Sequence, residues 1–489
     1  TPERVVQHTA DPAWDAIYRN GMRYICKNGL NRFISVKRRS GRYLFFTIRN
    51  FSEPVKIRKF QLIESTYPVE SKAWFRCSDW RLNRIWEISE RTLKLCMEDT
   101  FTDCPLYEQT LWVGDARNEA VFGYWTFDAR DIGKRCIRLA AQSLERFPIV
   151  GAQVPSAWEC LLPAWGFLWG ISVWDYFDYS GDVEFLKSVW NDVIKNIEGA
   201  EKYLDEHGLF SAPWWNMFDW SGIDDQHETV LHNSMLLVGA INAAIRCAQV
   251  LQDEDRLVLL ENLRDRLRRA INEFWDEEKQ SFPDSIHEDG EVSESTSQHT
   301  SFLSLLYDIV EEKNREAAIA NVLHPKKEMA KVGSPFAMMY FYETLEKIGF
   351  SERIIQSIYE SYVPMIDSGA TTVWEVFPSS EFHPAGFPTR SHAHAWSSAP
   401  LYFLPRIILG IRQVRPGGEE FIVSPDIGKL KYAKGAITTP KGILAVSWEV
   451  EKDNLIVRIQ KPPGANVRFV SHESHQSLNL KIEFVERIY

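Results

Sequence analysis

Apolar and polar residues alternate in the first part of the chain. The stretches "RYLFFTIRN" (42–50) and "VKIRKFQLIEST" (55–66) place apolar, aromatic or β-branched residues at every second position. This two-residue period is typical of β-strands that bury one face. We therefore expect residues 1–68 to be the C-terminal part of a β-sandwich domain. The chain begins at Thr1 without an initiator methionine, so we expect it to be part of a longer protein.

From residue 69 to residue 412 the apolar residues recur three and four positions apart, as in amphipathic helices. We predict about twelve helices, which begin near residues 80, 115, 131, 163, 182, 227, 254, 294, 313, 333, 350 and 394. The motif "SGDVEF" (180–185) offers an aspartate cap for one of them. Twelve helices without a repeated sequence unit favour an (α/α)6 barrel, a double ring of six helical hairpins, over a solenoid.

Alternation returns after the "RPGG" break at residues 415–418. Short alternating segments follow, and "WEVEKDNLIVRI" (448–459) has the pattern of a β-hairpin with an Asp-Asn turn. Residues 413–489 are therefore predicted to form a C-terminal β-sandwich domain. The predicted fold class is mainly α: an (α/α)6 barrel over residues 69–412, flanked by β-sandwich domains.

Charge and cysteine usage narrow the classes of function. The net charge is −11 and the sequence has no basic cluster, which argues against a nucleic-acid or anionic-membrane partner. No uninterrupted apolar run reaches the ~18 residues of a membrane helix. The seven cysteines are scattered without a CxxC pair, so we expect a reducing compartment and a cytoplasmic location rather than a disulfide framework.

Aromatic residues are abundant, with 18 Trp, 17 Tyr and 28 Phe. Several tryptophans cluster between residues 158 and 174 and again between 214 and 220. Large rings belong in a core, where they bury much area. Flat rings also line sugar-binding clefts, and both interpretations stay open for these clusters.

The densest group of acids lies in "TDCPLYEQTLWVGDARNEA" (102–120). Pro105 favours an extended backbone before it, so we expect a loop around Asp103 and Glu108. Asp103 could equally serve an Asx-turn, and Asp115 could cap the helix that follows. Glu108 lies near Tyr107 and Trp112, and an apolar setting disfavours a charged carboxyl and keeps it protonated to higher pH. A general acid requires that property.

A second acid lies in "SGATTVWEVFP" (368–378), between the last two predicted helices. We expect Glu375, beside Trp374, to lie on a loop, where it is either a surface acid or a catalytic base. In "WWNMFDWSGID" (214–224), Asp219 and Trp220 could grip sugar hydroxyls and stack on a sugar ring.

Two histidines, His392 and His394, precede the last helix in "RSHAHAWSSAP" (390–400). They could cap the helix, lie in the core or bind a ligand. Their spacing is poor for a metal site, and no cysteine or acid nearby in sequence completes one. We expect no metal and no cofactor. Two loop carboxylates in a tryptophan-rich setting match glycoside hydrolysis, in which an acid protonates the leaving oxygen and a base activates water.

Four motifs in order resemble the α-L-rhamnosidases of glycoside hydrolase family seventy-eight. "DCPLYEQTLWVGD" (103–115) resembles that family's Asp-Cys-Pro-x-Arg-Glu and Gly-Trp-Thr-Gly-Asp signature. "FDWS" (218–221), "TTVWE" (371–375) and "HAWSSAP" (394–400) resemble further family segments. The resemblance covers roughly residues 70–480. It implies an inverting exo-acting hydrolase of terminal α-L-rhamnose, built on an (α/α)6 barrel, that acts on rhamnose-containing glycosides or oligosaccharides.

Carried onto this sequence, the resemblance implies that Glu108 is the general acid and Glu375 the general base. The residues expected to bind the substrate are Asp103, Tyr107, Trp112, Asp115, Asp219, Trp220, Trp374 and His394. Two positions depart from the family pattern: Tyr107 replaces an arginine, and Leu111 replaces a glycine. A tyrosine cannot supply the charge-assisted hydrogen bonds of an arginine to sugar hydroxyls.

Two other functions fit the same features. One is a different inverting (α/α)6 glycoside hydrolase that acts on another sugar, although a uronate would require a basic clamp that "YEQTLW" does not provide. The other is a non-catalytic carbohydrate-binding relative. Because both candidate acids are present, the sequence favours an enzyme.

Overall fold

A computed structural model describes residues 23–35, 38–41, 44–378 and 391–488. Among residues 23–68, the described part contains no β-strand. The β-sandwich predicted for residues 1–68 is therefore not formed in the described part, and the part of that prediction on residues 1–22, 36–37 and 42–43 lies outside the described residues. The alternating apolar side chains are exposed instead, as for Leu62 (81%) and Ile63 (66%). A strand that buries one face needs a partner sheet, and no other described segment supplies one here.

Twelve α-helices follow in the described residues. They are α1 (Trp80–Leu95), α2 (Val113–Phe127), α3 (Arg130–Gln142), α4 (Pro163–Ser180), α5 (Val183–Glu201), α6 (Leu231–Leu251), α7 (Glu254–Asn272), α8 (Gln298–Leu306), α9 (Arg315–Leu323), α10 (Met338–Lys347), α11 (Ser351–Asp367) and α12 (Pro400–Ile407). Every start lies within six residues of its predicted position. At α5 the cap is the expected one, because Asp182 accepts a hydrogen bond from the Phe185 backbone N–H.

The even-numbered helices are the more deeply buried set. All fifteen residues of α2 are buried, whereas α7 buries only five of its nineteen, on one face. Helices α2, α4, α6, α8 and α10 contact one another in that order, and α12 contacts α2. The first helix, α1, packs against both α11 and α12. The two ends of the helical region therefore meet.

Helix α6 is, among the described helices, long and apolar enough to cross a bilayer by length and composition alone. This segment has no uninterrupted apolar run of membrane-helix length, because polar residues such as Asn233, Asn242 and Arg246 interrupt it. It packs against α4, α5, α7 and α8, and 72% of its apolar stretch is buried inside the protein. These contacts account for its burial within the helical region.

Ten strands complete the described elements: β1 (Trp74–Cys77), β2 (Thr229–Val230), β3 (Ser285–Ile286), β4 (Ile411–Arg415), β5 (Glu420–Val423), β6 (Tyr432–Thr439), β7 (Gly442–Glu451), β8 (Asn454–Gln460), β9 (Asn466–Phe469) and β10 (Asn479–Phe484). One sheet has the order β1-β6-β7-β8-β10 and another the order β4-β5-β9. The predicted hairpin is β7-β8. Strand β1 precedes the first helix but pairs antiparallel with β6, so the C-terminal sheet includes residues from outside the predicted domain 413–489.

The loops that lead into the even-numbered helices carry almost every candidate site residue. Glu108 lies before α2, Trp220 before α6, and both Glu375 and His394 before α12. Parallel neighbouring helices would bring these loops to the same end of the helical region.

Candidate active site

A closed loop presents Glu108. The backbone N–H of Asp103 donates to the carbonyl of Thr110 (3.1 Å), and the Thr110 N–H donates to Asp103 Oδ1 (3.1 Å). The loop between these residues is thereby tied at its base. Gln109 adopts a left-handed conformation (φ 53°), which turns the chain back after Glu108. Asp103 therefore closes a loop to Thr110, seven positions on, and does not form the Asx-turn considered for it, in which the side chain would bond the backbone two residues on.

The Glu108 carboxyl is reachable from solvent yet closely surrounded by protein. Its Oε2 accepts a hydrogen bond from the Trp112 indole N–H. Desolvation raises the pKa of Glu108, and the charges of Asp115 and Glu375 add to the rise. The Trp112 hydrogen bond and His394 oppose it. A carboxyl that holds its proton longer than usual and remains accessible can act as a general acid.

Asp115 lies in the first turn of α2 and is buried. The helix cap is Trp112, not Asp115, so the alternative that Asp115 is the cap is wrong. Its Oδ2 accepts a hydrogen bond from the Trp165 indole N–H (3.0 Å), and its Oδ1 lies 3.2 Å from His394 Nε2. Burial raises the pKa of Asp115, and the hydrogen bonds from His394 and Trp165 lower it.

Glu375 is held by the backbone on both sides. Its N–H donates to the Ser391 carbonyl (2.9 Å), and its Oε2 accepts from the Ser391 N–H (2.9 Å). The Trp396 indole N–H donates to the Glu375 carbonyl (3.0 Å). The side chain is 8% exposed, so it is a fixed acid in a buried setting and not a surface loop acid.

His394 lies between Asp115 on α2 and Glu375 in the loop before α12. Its Nε2 faces Asp115, and its Nδ1 lies 3.9 Å from Glu375 Oε2. Burial alone would lower the pKa of His394, but the Asp115 hydrogen bond and the charges of Glu375 and Asp103 raise it to about 8. The imidazolium is therefore the cation among the four acids Asp103, Glu108, Asp115 and Glu375, which are called the acid cluster here. Desolvation likewise raises the pKa of Asp103 to about 8, with His394 acting against the rise.

Tryptophans form a connected wall beside Glu108. Trp112 lies edge-on to Trp158 (ring centroids 5.8 Å apart) and to Trp215 (6.1 Å), and Trp215 contacts Trp220 (6.4 Å). The exposed fraction of Trp158 is 55%. Trp158 belongs to one of the tryptophan clusters in the sequence but is not among the predicted site residues. Only the fold brings it against Trp112. The aromatic wall is defined here as Trp112, Trp158, Trp215 and Trp220.

The two remaining aromatic candidates lie at different places. Trp374 is stacked on the His392 ring (centroids 4.4 Å apart), directly before Glu375. Tyr107 is half-buried, next to Glu108 in the closed loop. Both are therefore close in sequence to a candidate catalytic carboxylate.

Asp219 differs from its prediction as a residue that grips sugar hydroxyls. Its side chain is completely buried. Its oxygens accept hydrogen bonds from the Ser334 hydroxyl (2.6 Å) and the Gly333 N–H (2.8 Å), and Oδ2 lies 2.8 Å from His299 Nε2. Asp219 thus ties the loop before α6 to the start of α8 and the loop before α10. It lies next to Trp220 of the aromatic wall in sequence.

Glu119, one turn after Asp115 on α2, has no assigned role. It is completely buried, and neither carboxyl oxygen has a hydrogen-bond partner among the described residues. Desolvation, with the charges of Asp115 and Asp103, raises its pKa well above the usual range. The charged form of Glu119 is therefore strongly disfavoured.

One set of metal-capable side chains lies within the site: Asp103, Cys104 and His394. A thiol must lose its proton to bind a metal. Burial and the neighbouring Asp103 raise the pKa of Cys104 well above its usual value, and His394 is protonated near neutral pH. These three residues are therefore poorly suited to hold a metal ion.

Comparison with known families decides the class of the protein. Residues 70–408 match the model of the bacterial alpha-L-rhamnosidase 6 hairpin glycosidase domain. Residues 410–479 match that of the bacterial alpha-L-rhamnosidase C-terminal domain. This chain belongs to the bacterial α-L-rhamnosidase family. The resemblance predicted from the four motifs is confirmed.

Individual α-L-rhamnosidases are similar over most of this chain. A family seventy-eight rhamnosidase structure from Bacillus sp. GL1 is 35% identical with a TM-score of 0.83, and the match covers 87% of this chain and 45% of that one. The Formosa agariphila α-L-rhamnosidase is 23% identical over 84% of this chain and 45% of its own length. The rhamnosidase of Klebsiella oxytoca, solved with rhamnose bound, shares the fold at 22% identity and a TM-score of 0.59, over 70% of this chain and 65% of that one. The chain thus spans less than half the length of the first two relatives.

Proposed function

We propose that this chain is the part of an α-L-rhamnosidase that carries the active site, and that it removes terminal α-L-rhamnose from glycosides or oligosaccharides. The observation that carries the proposal is the position of His394 between Asp115 and Glu375, in electrostatic range of Glu108. Four titratable groups from two distant segments of the sequence therefore lie close together. Family membership supports the same reaction class.

We also propose how the helices are arranged in the fold. The even-numbered helices form an inner ring and the odd-numbered helices an outer one, closed where α1 meets α12, as an (α/α)6 barrel. The contacts of α12 with both α1 and α2 support this closure. The two C-terminal sheets, with β1 included, form a β-sandwich beside the barrel.

Glu108 acts as the general acid. Its proton passes to the glycosidic oxygen as the bond to the anomeric carbon breaks, and the aglycone leaves as a neutral alcohol or phenol. The raised pKa of Glu108 favours the protonated form that this transfer requires. The Trp112 indole N–H orients the carboxyl and receives the charged form after transfer.

Glu375 acts as the general base. It takes a proton from a water molecule, whose oxygen attacks the anomeric carbon from the face opposite the leaving group. The product is the inverted anomer, β-L-rhamnose. In this family of reactions an inverting pair of carboxyls is ~6.5–9.5 Å apart, which leaves room for that water. The positive charge of His394 lies close to the Glu375 carboxyl, with Nδ1 3.9 Å from Oε2.

The sugar is bound by carboxyl groups and by rings. Asp103 and Asp115 accept hydrogen bonds from vicinal hydroxyls, and His394 donates to a further hydroxyl. Trp112, Trp220 and Trp374 offer apolar faces to the sugar, including the methyl group that distinguishes rhamnose from other hexoses. Tyr107, in place of the arginine, offers one neutral hydroxyl and so alters the selectivity for substituents.

A panel of aryl glycosides tests the proposal. We expect hydrolysis of p-nitrophenyl α-L-rhamnoside and little of p-nitrophenyl β-D-glucoside. Equal or faster cleavage of another aryl glycoside would favour a different inverting hydrolase of the same fold. Saturable binding of rhamnose without any turnover, in a folded sample, would favour a non-catalytic carbohydrate-binding relative.

The cellular setting is a further proposal. All seven cysteines are free, and six of them are buried. Buried thiols persist in a reducing compartment, so we propose a cytoplasmic enzyme whose partner is a rhamnose-containing small molecule or oligosaccharide, with no nucleic-acid or membrane partner. Fractionation of the source cells, with activity assayed in each fraction, tests the location.

A further inference from the structure

A second cluster of ligand-type side chains lies outside the acid cluster. Asp224, at the end of the loop that carries the aromatic wall residues Trp215 and Trp220, faces His227 and His287. One ligand atom from each of the three residues lies within 4.8 Å of the others. The reaction proposed above gives this cluster no role.

The short β2-β3 ladder holds the two histidines side by side. His227 comes two residues before β2, and His287 comes directly after β3; Thr229 pairs with Ile286. Their rings are stacked, with centroids 3.8 Å apart and an interplanar angle of 14°. Both Nε2 atoms are directed at one carboxylate. His227 Nε2 lies 3.4 Å from Asp224 Oδ1, and His287 Nε2 lies 3.0 Å from Asp224 Oδ2.

These separations suit a small ion between the three atoms. Ligands at ~2.0–2.1 Å from a tetrahedral zinc ion are about 3.3 Å from one another. The side chains of Asp224, His227 and His287 are 26%, 21% and 29% exposed, so an ion can enter from solvent and keep a water molecule as its fourth ligand.

Surrounding groups hold the ligands in the required form. His227 Nδ1 lies 2.9 Å from Glu288 Oε2, so a proton on Nδ1 leaves Nε2 free to bind a metal. Such a carboxylate behind a metal-bound histidine is the usual support in zinc sites. The hydroxyls of Ser285 (2.9 Å) and Ser293 (2.6 Å) both donate to Asp224 Oδ2, which fixes the carboxylate.

We propose that Asp224, His227 and His287 form a binding site for a divalent transition-metal ion, with zinc as the best match. Two imidazoles and one carboxylate suit zinc and the other late first-row transition metals, whereas calcium prefers all-oxygen sites. A bound ion would connect the loop that carries Trp215 and Trp220 to the residue that directly follows β3. The two rings would then tilt apart, because each nitrogen lone pair lies in the plane of its own ring and both must point at one ion.

Calorimetry of the chelator-treated, dialysed chain with zinc chloride tests the site. We expect one zinc per chain, a higher melting temperature with zinc, and no effect of calcium. His287→Ala should abolish this binding and the shift, while His324→Ala, at an exposed histidine elsewhere, should keep both. Glu288→Gln should weaken the affinity by about tenfold or more, because it removes only the support of His227.

Two outcomes would overturn the proposal. The first is that the parent chain binds no zinc under these conditions. The second is that zinc binds His287→Ala as tightly as the parent, which would mean an adventitious surface ion. X-ray absorption of the zinc-loaded parent provides an independent check, since it should show two imidazole ligands, and a spectrum without imidazole scattering would contradict the assignment. None of these readouts depends on glycosidase activity.

Discussion

His394 and Asp115 lie 279 positions apart in the chain, yet His394 Nε2 is 3.2 Å from Asp115 Oδ1. The contact joins the loop before α12 to the first turn of α2. It also fixes the imidazole so that Nδ1 is directed towards Glu375, 3.9 Å away. The site thus consists of a histidine cation held between two carboxylates, and its properties depend on that arrangement.

Asp115→Asn should lower the pKa of His394 from about 8 towards its usual value near 6.5, because the substitution removes the negative partner of the imidazolium. NMR titration of the histidine Cε1 proton measures the change. Since Asp115 does not cap α2, melting should show only the cost of an altered buried hydrogen bond, about 1–3 kcal/mol. An unchanged His394 titration would contradict this account of the charge arrangement.

Glu108→Gln should reduce turnover by roughly a hundredfold or more on substrates with poor leaving groups, since general acid catalysis is lost. A dinitrophenyl α-L-rhamnoside should lose far less, because its phenolate leaves without a proton. Steady-state kinetics on both substrates measure the difference. Glu159→Gln, at an exposed glutamate in the next loop, is the matched control and should behave as the parent. Equal losses on both substrates would argue against the acid role.

Trp112→Phe should move the basic limb of the pH profile of kcat/KM to higher pH. The indole N–H stabilises the charged form of Glu108, so its removal raises the pKa of this acid, and the active protonated form persists to higher pH. Trp158→Phe, at a ring that contacts Trp112, is the control and should leave the limb in place. A shift to lower pH in Trp112→Phe would show that the bond does not act on Glu108.

Asp103→Asn should flatten the pH dependence of stability. The folded chain keeps a proton on Asp103 up to about pH 8, whereas the unfolded chain releases it near pH 3.9. The free energy of unfolding therefore falls as the pH rises from ~4 to ~8, and the Asn variant lacks that contribution. His394, whose folded pKa is also raised, loses its own contribution between ~6.5 and ~8. Urea denaturation at several pH values measures the slopes, with the exposed Asp367→Asn as control. Parallel curves for Asp103→Asn and the parent would refute the assignment.

The helical part of the fold could be predicted because its signals are local. Periodicity and caps such as Asp182 lie within one segment, and the helix starts were correct to within six residues. The strand β1 could not be found this way, since Trp74 pairs with Ala436 across the whole helical region. The strands expected before residue 68 failed for the complementary reason: alternation indicates a buried face but does not supply the sheet that covers it.

The site was predictable where a motif carried it. Glu108, Asp115, Glu375 and His394 come together as the resemblance implied, although their catalytic and binding roles remain predictions. Asp219 has aromatic neighbours in sequence, but in space its oxygens face donors from helix α8 and from the loop before α10, which no local pattern indicates. His227 and His287 are far apart in sequence but close in space, because the β2-β3 register brings these two side chains together.

The anomer released first is the most direct test of the central claim that Glu108 and Glu375 act as an inverting pair on α-L-rhamnosides. Proton NMR of the anomeric region, recorded in the first minutes of hydrolysis of an α-linked substrate and before mutarotation, measures it. The account predicts that β-L-rhamnose appears first and that the α anomer grows in later. Initial release of α-L-rhamnose would contradict the role of Glu375 as a base that activates water.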